Sequence, residues 1–168
     1  MLSRLVGYDI NSQHNVVGSD GLYVESPQVF KKSSTKLKQI QVQLSRRKKG
    51  YNRWHKTKSR LNKLYGKISH QRLAFAHETS CSIVKSSDIM VFEDLNVKGM
   101  QPFNGQRVND NVMGMITALT QYKAELNGAV YHEISRFLKS SGICYECKYQ
   151  HKFDLSVINF ACESYDTV

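Results

Sequence analysis

Between Lys31 and Arg72 the chain carries fifteen Lys or Arg residues and no Asp or Glu. A solvated helix face normally mixes signs, so a one-signed stretch of this length cannot satisfy its charges internally and points to a polyanionic partner, nucleic acid first. Apolar residues recur through the stretch at helical spacing: Leu37, Ile40 and Leu44, then after Gly50 Leu61, Leu64, Tyr65, Ile68, Phe75, Ala76, Thr79 and Ile83. This predicts a basic helical hairpin from about Ser34 whose second arm packs on the rest of the fold. The apolar residues between the charges are too sparse for a strong lipid-facing side, which disfavours a membrane surface. Arg46, Arg47, Lys48, Lys49, Arg53, Lys56, Lys58 and Arg60, around the centre of the hairpin, are the expected nucleic-acid contacts. Tyr51 and Trp54 lie among them, and two readings fit both: stacking on bases, or packing between the helices.

The flanking sequence reads as an α/β domain. Leu5 to Ile10, His14 to Gly18 and Leu22 to Val24 have strand character, with Asn11-Ser12 and Ser19-Asp20-Gly21 as turns, which predicts an antiparallel meander. Asp88 to Phe92 is a short apolar run that suits a buried strand in a sheet covered by helices. Asn96 to Asn111 reads as a loop, Val112 to Leu126 as a helix and Ala129 to Ile134 as a further strand. The chain has 168 residues, of which 40% are hydrophobic and 23% charged, with a net charge of +10. That balance argues against wholesale disorder. No apolar run approaches the roughly 18 to 20 residues needed to span a bilayer, and Met1 to Val6 is too short for a signal-peptide core. The expected setting is the cytoplasm.

Asp9 stands near the end of the first strand, where turn capping is by itself the commoner reason for a carboxylate. Glu93 follows a strand expected to be central and buried, where an unpaired carboxylate is costly unless a cation meets it. Two carboxylates on adjacent strand ends can share divalent cations, the layout that two-metal phosphodiester hydrolysis uses. Of the four cysteines, Cys144 and Cys147 form a Cys-x-x-Cys pair suited to a metal, while Cys81 in the helical segment reads as core. His14, His55, His70, His77 and His132 show no spacing that suggests a catalytic base.

Five segments in order, Gly7-Tyr8-Asp9-Ile10, Leu44-Ser45-Arg46-Arg47-Lys48-Lys49-Gly50, Phe92-Glu93-Asp94-Leu95-Asn96-Val97-Lys98-Gly99-Met100, Tyr122-Lys123-Ala124-Glu125 and the Cys144/Cys147 pair, closely resemble the TnpB (OrfB) transposase family. The Glu93 segment is the most specific of them. The resemblance implies an RNase H-like (RuvC) α/β core over residues 1–138, interrupted at about 31–85 by the basic helical hairpin and followed at 139–168 by a degenerate zinc ribbon. It implies RNA-guided DNA endonuclease activity, related to that of type V CRISPR effectors, with DNA and a guide RNA as partners. It makes Asp9 and Glu93 the first two Mg²⁺ ligands and catalytic carboxylates, and Asp94 a structural neighbour. Cys144, Cys147 and Cys162 match three of the ribbon's four Zn²⁺ thiolates, with Tyr165 in the fourth place, so the ribbon either has lost its Zn²⁺ or binds it weakly through three thiolates and a water or His151, although His151 fits no matching half-knuckle.

The chain departs from the family pattern in two places. Met1 lies shortly before Asp9, where family members carry a recognition half, and the chain ends at Asp166-Thr167-Val168 before the Asp-Arg-Asp-x-Asn-Ala-Ala segment that supplies the third catalytic carboxylate. Asp154 matches a ribbon position, and Asp166 a family glycine. The expectation is therefore a truncated transposase or nuclease fragment that binds DNA or RNA without cutting it. The rivals are a nuclease-dead regulator, and an active metal-dependent endonuclease completed by a partner or a continued reading frame.

Overall fold

The computed structural model describes residues 3–10, 15–94 and 112–135. The chain divides into two units, Met1–Ile134 and Ser135–Val168, and every element described here belongs to the first. Its order is β1 (Leu5–Asp9), β2 (Val16–Gly18), β3 (Tyr23–Val24), α1 (Val29–Ser45), α2 (Asn52–Ser86), β4 (Ile89–Glu93), α3 (Met113–Asn127) and β5 (Val130–Ile134). The five strands form one sheet in the order β3-β2-β1-β4-β5. β1, β2 and β3 pair antiparallel, as the meander requires. The turn between β2 and β3 closes with Gly21 N–H donating to the Gly18 carbonyl at 3.0 Å and with the Asp20 side chain accepting from Leu22 N–H.

β4 runs parallel to β1 with Leu5 opposite Ile89 and Tyr8 opposite Phe92, and β5 runs parallel to β4 with Ile89 opposite Val130 and Glu93 opposite Ile134. Parallel neighbours need a crossover connection. α1 and α2 lie between β3 and β4 in the chain, and α3 lies between β4 and β5. The start of the β1–β4 pair is pinned by reciprocal bonds: Arg4 N–H donates to Asp88 Oδ2 at 2.8 Å, and Asp88 N–H donates to the Arg4 carbonyl at 2.9 Å.

Strand alternation decides where the core sits. Val6, Tyr8, Met90 and Phe92 project to one side and are buried with Ile10, Val16, Ala76 and Ile83 of α2, and Met113, Ile116 and Ala124 of α3. The Phe92 ring stacks between Tyr8 at 5.1 Å and Tyr131 at 5.3 Å, which welds three parallel strands through their aromatic side chains. The Tyr8 hydroxyl reaches Ser86 Oγ at 2.9 Å and Ser87 Oγ at 3.1 Å, so the same residue anchors the end of α2.

Three expectations need correction. β4 is not buried on both sides: Met90 and Phe92 are buried, Ile89 and Val91 are half-buried and Glu93 is exposed, and Leu5 and Val130 on the same side as Val91 are 64% and 54% exposed. A short apolar run has the same appearance whether one face or two is covered. α1 begins at Val29, a turn before Ser34, because Val29 and Phe30 join Leu37 and Ile68 in the seam between the helices. Tyr65, at a seam-like position, is 42% exposed, and its hydroxyl accepts a hydrogen bond from Gln41 Nε2 at 2.8 Å. Among the described residues no helix is long and apolar enough to cross a membrane.

Candidate functional site

Asp9 is the last residue of β1 and Glu93 the last of β4. The parallel register runs up to Tyr8 opposite Phe92, so the residues that follow, Asp9 and Glu93, end neighbouring strands side by side at their carboxyl ends. Alternation turns both away from the buried Tyr8–Phe92 side, and both are exposed. This corrects the premise that Glu93 is a buried carboxylate in need of a counter-charge; water reaches it. Asp94 is half-buried, and its N–H donates to the Ile134 carbonyl at 2.9 Å, which closes the β4–β5 edge. Among the described residues no group of three or more His, Cys, Asp or Glu side chains converges as a metal cage. On the core side of the sheet, the Tyr131 hydroxyl donates to Glu133 Oε1 at 2.7 Å. Burial first, then that hydrogen bond and the carboxylates of Glu133 and Asp94, raise the Tyr131 phenol well above its ordinary range.

The basic stretch forms two packed helices. Their seam is narrow: Val29, Leu37 and Ile68 are buried, with Phe30, Leu61 and Leu64 packed against them. Arg53, Lys56, Arg60, Lys63 and Lys67 are all exposed on α2. Their spacing of three, four, three and four residues places them in one row along the helix, roughly a quarter-turn from the seam. At 1.5 Å per residue the row is about 21 Å long. Lys63 and Lys67 were not singled out from the sequence; the periodicity of the charges, read as the periodicity of apolar residues is read, would have found them. The row ends at a groove of about 570 Å³ where Lys32 and Lys36 of α1 meet Lys67 above Val29, Leu64 and Phe75.

The junction of the helices is a tight turn. Tyr51 N–H donates to the Lys48 carbonyl at 3.4 Å, and Gly50 has φ +90°, the positive value that the third position of a type II turn demands. Arg47 Nη1 donates to the Arg53 carbonyl at 2.6 Å and to Thr57 Oγ1, and Thr57 is fully buried. Of the expected nucleic-acid contacts, Arg46, Lys48, Lys49, Arg53, Lys56, Lys58 and Arg60 are exposed, while Arg47 is half-buried. Tyr51 is 59% exposed with the Lys48 ammonium 5.1 Å from its ring centre, and Lys58 stands at the same distance over Trp54. Cys81, expected in the core, is exposed, and its sulfur lies 3.0 Å from Lys123 Nζ. The helical period that places Ala76, Thr79, Ser80 and Ile83 inward leaves position 81 outside. Cys144, Cys147, Cys162, Tyr165 and His151 lie outside the described residues, as do His14 and the expected loop from Asn96 to Asn111.

A five-stranded mixed sheet with helices against it, two carboxylates ending a parallel strand pair and a long row of exposed cations define an α/β protein of one particular class. The family model OrfB_IS605, "Probable transposase", matches residues 4–103. The chain belongs to this OrfB (TnpB) transposase family. It is 33% identical over 98 residues to "Putative RNA-guided DNA endonuclease InsQ" of Escherichia coli (strain K12), a match that covers 58% of this chain and 24% of that protein. It is 25% identical over 162 residues to a "Putative RNA-guided DNA endonuclease" of Streptomyces pristinaespiralis, covering 94% of this chain and 40% of the relative. The chain thus spans less than half the length of both. Among solved structures, one described as "Cryo-EM structure of the Cas12f1-sgRNA-target DNA complex" shares the fold at a TM-score of 0.64 and 12% identity, over 96% of this chain and 36% of that one.

Proposed function

We propose that this chain is an RNase H-like, RuvC-type core that holds nucleic acid along its basic helical pair, as a guide RNA or its DNA target. The observation that carries the reading is the exposed row from Arg53 to Lys67, set in a stretch without one acidic residue and followed, through α2, by the strand that ends at Glu93. The row spans about six base-pair rises along one strand of a duplex. Relatives named as RNA-guided DNA endonucleases, and a shared fold with a Cas12f1 chain in complex with RNA and DNA, support this class of partner.

Asp9 and Glu93 suit a hard divalent cation such as Mg²⁺: both are carboxylates, exposed, and at the ends of adjacent parallel strands. When bound, the cation would polarise a phosphoryl oxygen. Two-metal hydrolysis needs both ions held, one at the attacking and one at the leaving oxygen. Among the described residues only these two carboxylates end the parallel strand pair, which accounts for one ion, and the activity proposed here is binding without cutting.

The test is affinity against salt. With five cations meeting phosphates, log K should fall against log salt with a slope of about 4 to 5 on duplex DNA. Replacing Arg53, Lys56, Arg60, Lys63 and Lys67 by Ala together should flatten that slope for RNA and DNA alike. Affinity indifferent to salt would sink the reading. In the same preparation, single-stranded DNA with Mg²⁺ should stay intact; cutting that disappears in both Asp9→Ala and Glu93→Ala would show an active nuclease.

A further inference from the structure

The turn joining α1 to α2 has features that a row of phosphate contacts does not require. It borders an open cleft of about 410 Å³ lined by Arg47, Lys48, Tyr51, Asn52, Arg53 and Trp54. That volume falls in the range of roughly 300 to 1,000 Å³ of small-ligand sites. Three of the six lining residues are cationic, two are aromatic and one is an amide, and the cleft has no acidic wall. Aromatic rings on a helix pair usually face the seam, yet Tyr51 is 59% exposed and outside both buried clusters.

The cleft is also rigidly built. Arg47 crosses the turn to hold the Arg53 carbonyl at 2.6 Å and the buried Thr57 hydroxyl, and Thr57 Oγ1 itself donates to the Arg53 carbonyl at 2.9 Å. Gly50 supplies the one backbone conformation an L side chain would resist. Arg47 is thus a positioning residue that fixes the turn on which Tyr51, Asn52 and Arg53 stand. Lys48 lies over the Tyr51 ring and Lys58 over Trp54, so each aromatic face has a cation beside it.

We propose that this turn is a subsite for one unpaired nucleotide of the bound strand, its base stacked on Tyr51 and its phosphate met by Lys48 and Arg53. A base inside a duplex has both faces covered, and stacking on a protein ring needs a nucleotide that is single-stranded or splayed out. The cleft rests on the nucleic-acid reading of the helical pair and deepens it: the row on α2 tracks the backbone, and the turn marks where the strand is unpaired.

The experiment uses the full chain at low salt, with a short oligothymidylate and an abasic strand of the same phosphate number. Both should bind, and the strand with bases should bind about tenfold more tightly, as expected for a stacked base. Tyr51→Ala should erase the difference while leaving the abasic affinity unchanged, and Tyr51→Phe should restore it. Trp54 is the only tryptophan, so its fluorescence reports on the cleft alone and should change with oligothymidylate more than with the abasic strand. Equal affinity for the two strands, or Tyr51→Ala weakening both alike, overturns the subsite and leaves the phosphate row intact. Failure of both strands to bind would remove the row and the subsite together.

Discussion

Around the sheet, buried side chains from three strands, α2, α3 and the segments beside them form one continuous core, whereas α1 and the first half of α2 meet over Val29, Leu37 and Ile68. The two regions contrast in charge as well. The sheet presents carboxylates at its strand ends, Asp9, Glu93, Asp94 and Glu133, while the helical pair carries fifteen cations between Lys31 and Arg72 with no acidic residue among them, Glu78 near the end of α2 being the first. One region is held by burial. The other has a thin apolar seam beneath mutually repelling charges, so its free energy depends on whatever lowers that repulsion. A region built in this way contributes little to its own stability and would gain most from the polyanion proposed above, which is the physical sense of gathering fifteen of the 24 Lys and Arg residues there.

The contrast can be broken first at the sheet. Phe92 is 1% exposed and stacked on both sides, so Phe92→Ala should cost about 3–5 kcal/mol, a large part of a typical domain's stability. Urea or thermal denaturation reads it. A loss below about 1 kcal/mol would mean that this core does not carry the unit.

Leu37→Ala should cost less, about 2 kcal/mol, because the seam around it is small. Hydrogen exchange separates the regions: amides of α1 should lose protection while those of β4 keep theirs. Equal loss in both would show that sheet and helices open as one.

The smallest effect concerns pH and belongs to the sheet alone. The folded state holds the Tyr131 proton more tightly than the unfolded chain does. Its contribution is complete below the ordinary tyrosine value of about 10 and is lost as pH rises from there through the raised folded value. Stability should therefore be flat in this respect near neutrality and fall in alkali. Tyr131→Phe should make the alkaline fall shallower, and an unchanged profile would remove Tyr131 as its source.

Much of the architecture was legible in local pattern. The alternation in β1, the Ser19-Asp20-Gly21 turn, the apolar run of β4 and the asparagine-glycine end of α3 each carry a short-range signal, and the strands and helices lie close to where those signals put them. Misreadings arose where two arrangements share one pattern. Ile89 to Phe92 looks alike whether a strand is covered on one face or two, and Cys81 looks like core until the phase of α2 is set by Ile83 packing on the sheet. The cation row is invisible in a count of charges and emerges only from their phase along α2.

What the sequence by itself determined is the chemistry available and its local geometry: an uninterrupted positive stretch at helical period, a glycine where a turn needs positive φ, carboxylates after two apolar strands, and the motifs of the OrfB family. What only the tertiary structure decided is which of those groups meet. Asp9 and Glu93 are far apart in the chain and become neighbours because β4 pairs parallel with β1, a register set by Val6, Tyr8, Met90 and Phe92 packing on α2 and α3. Arg47, one of four consecutive cations, turns inward to hold Arg53 and Thr57 because the chain reverses at Gly50. Contacts of this kind depend on how distant segments share a core, and no local pattern of residues encodes that.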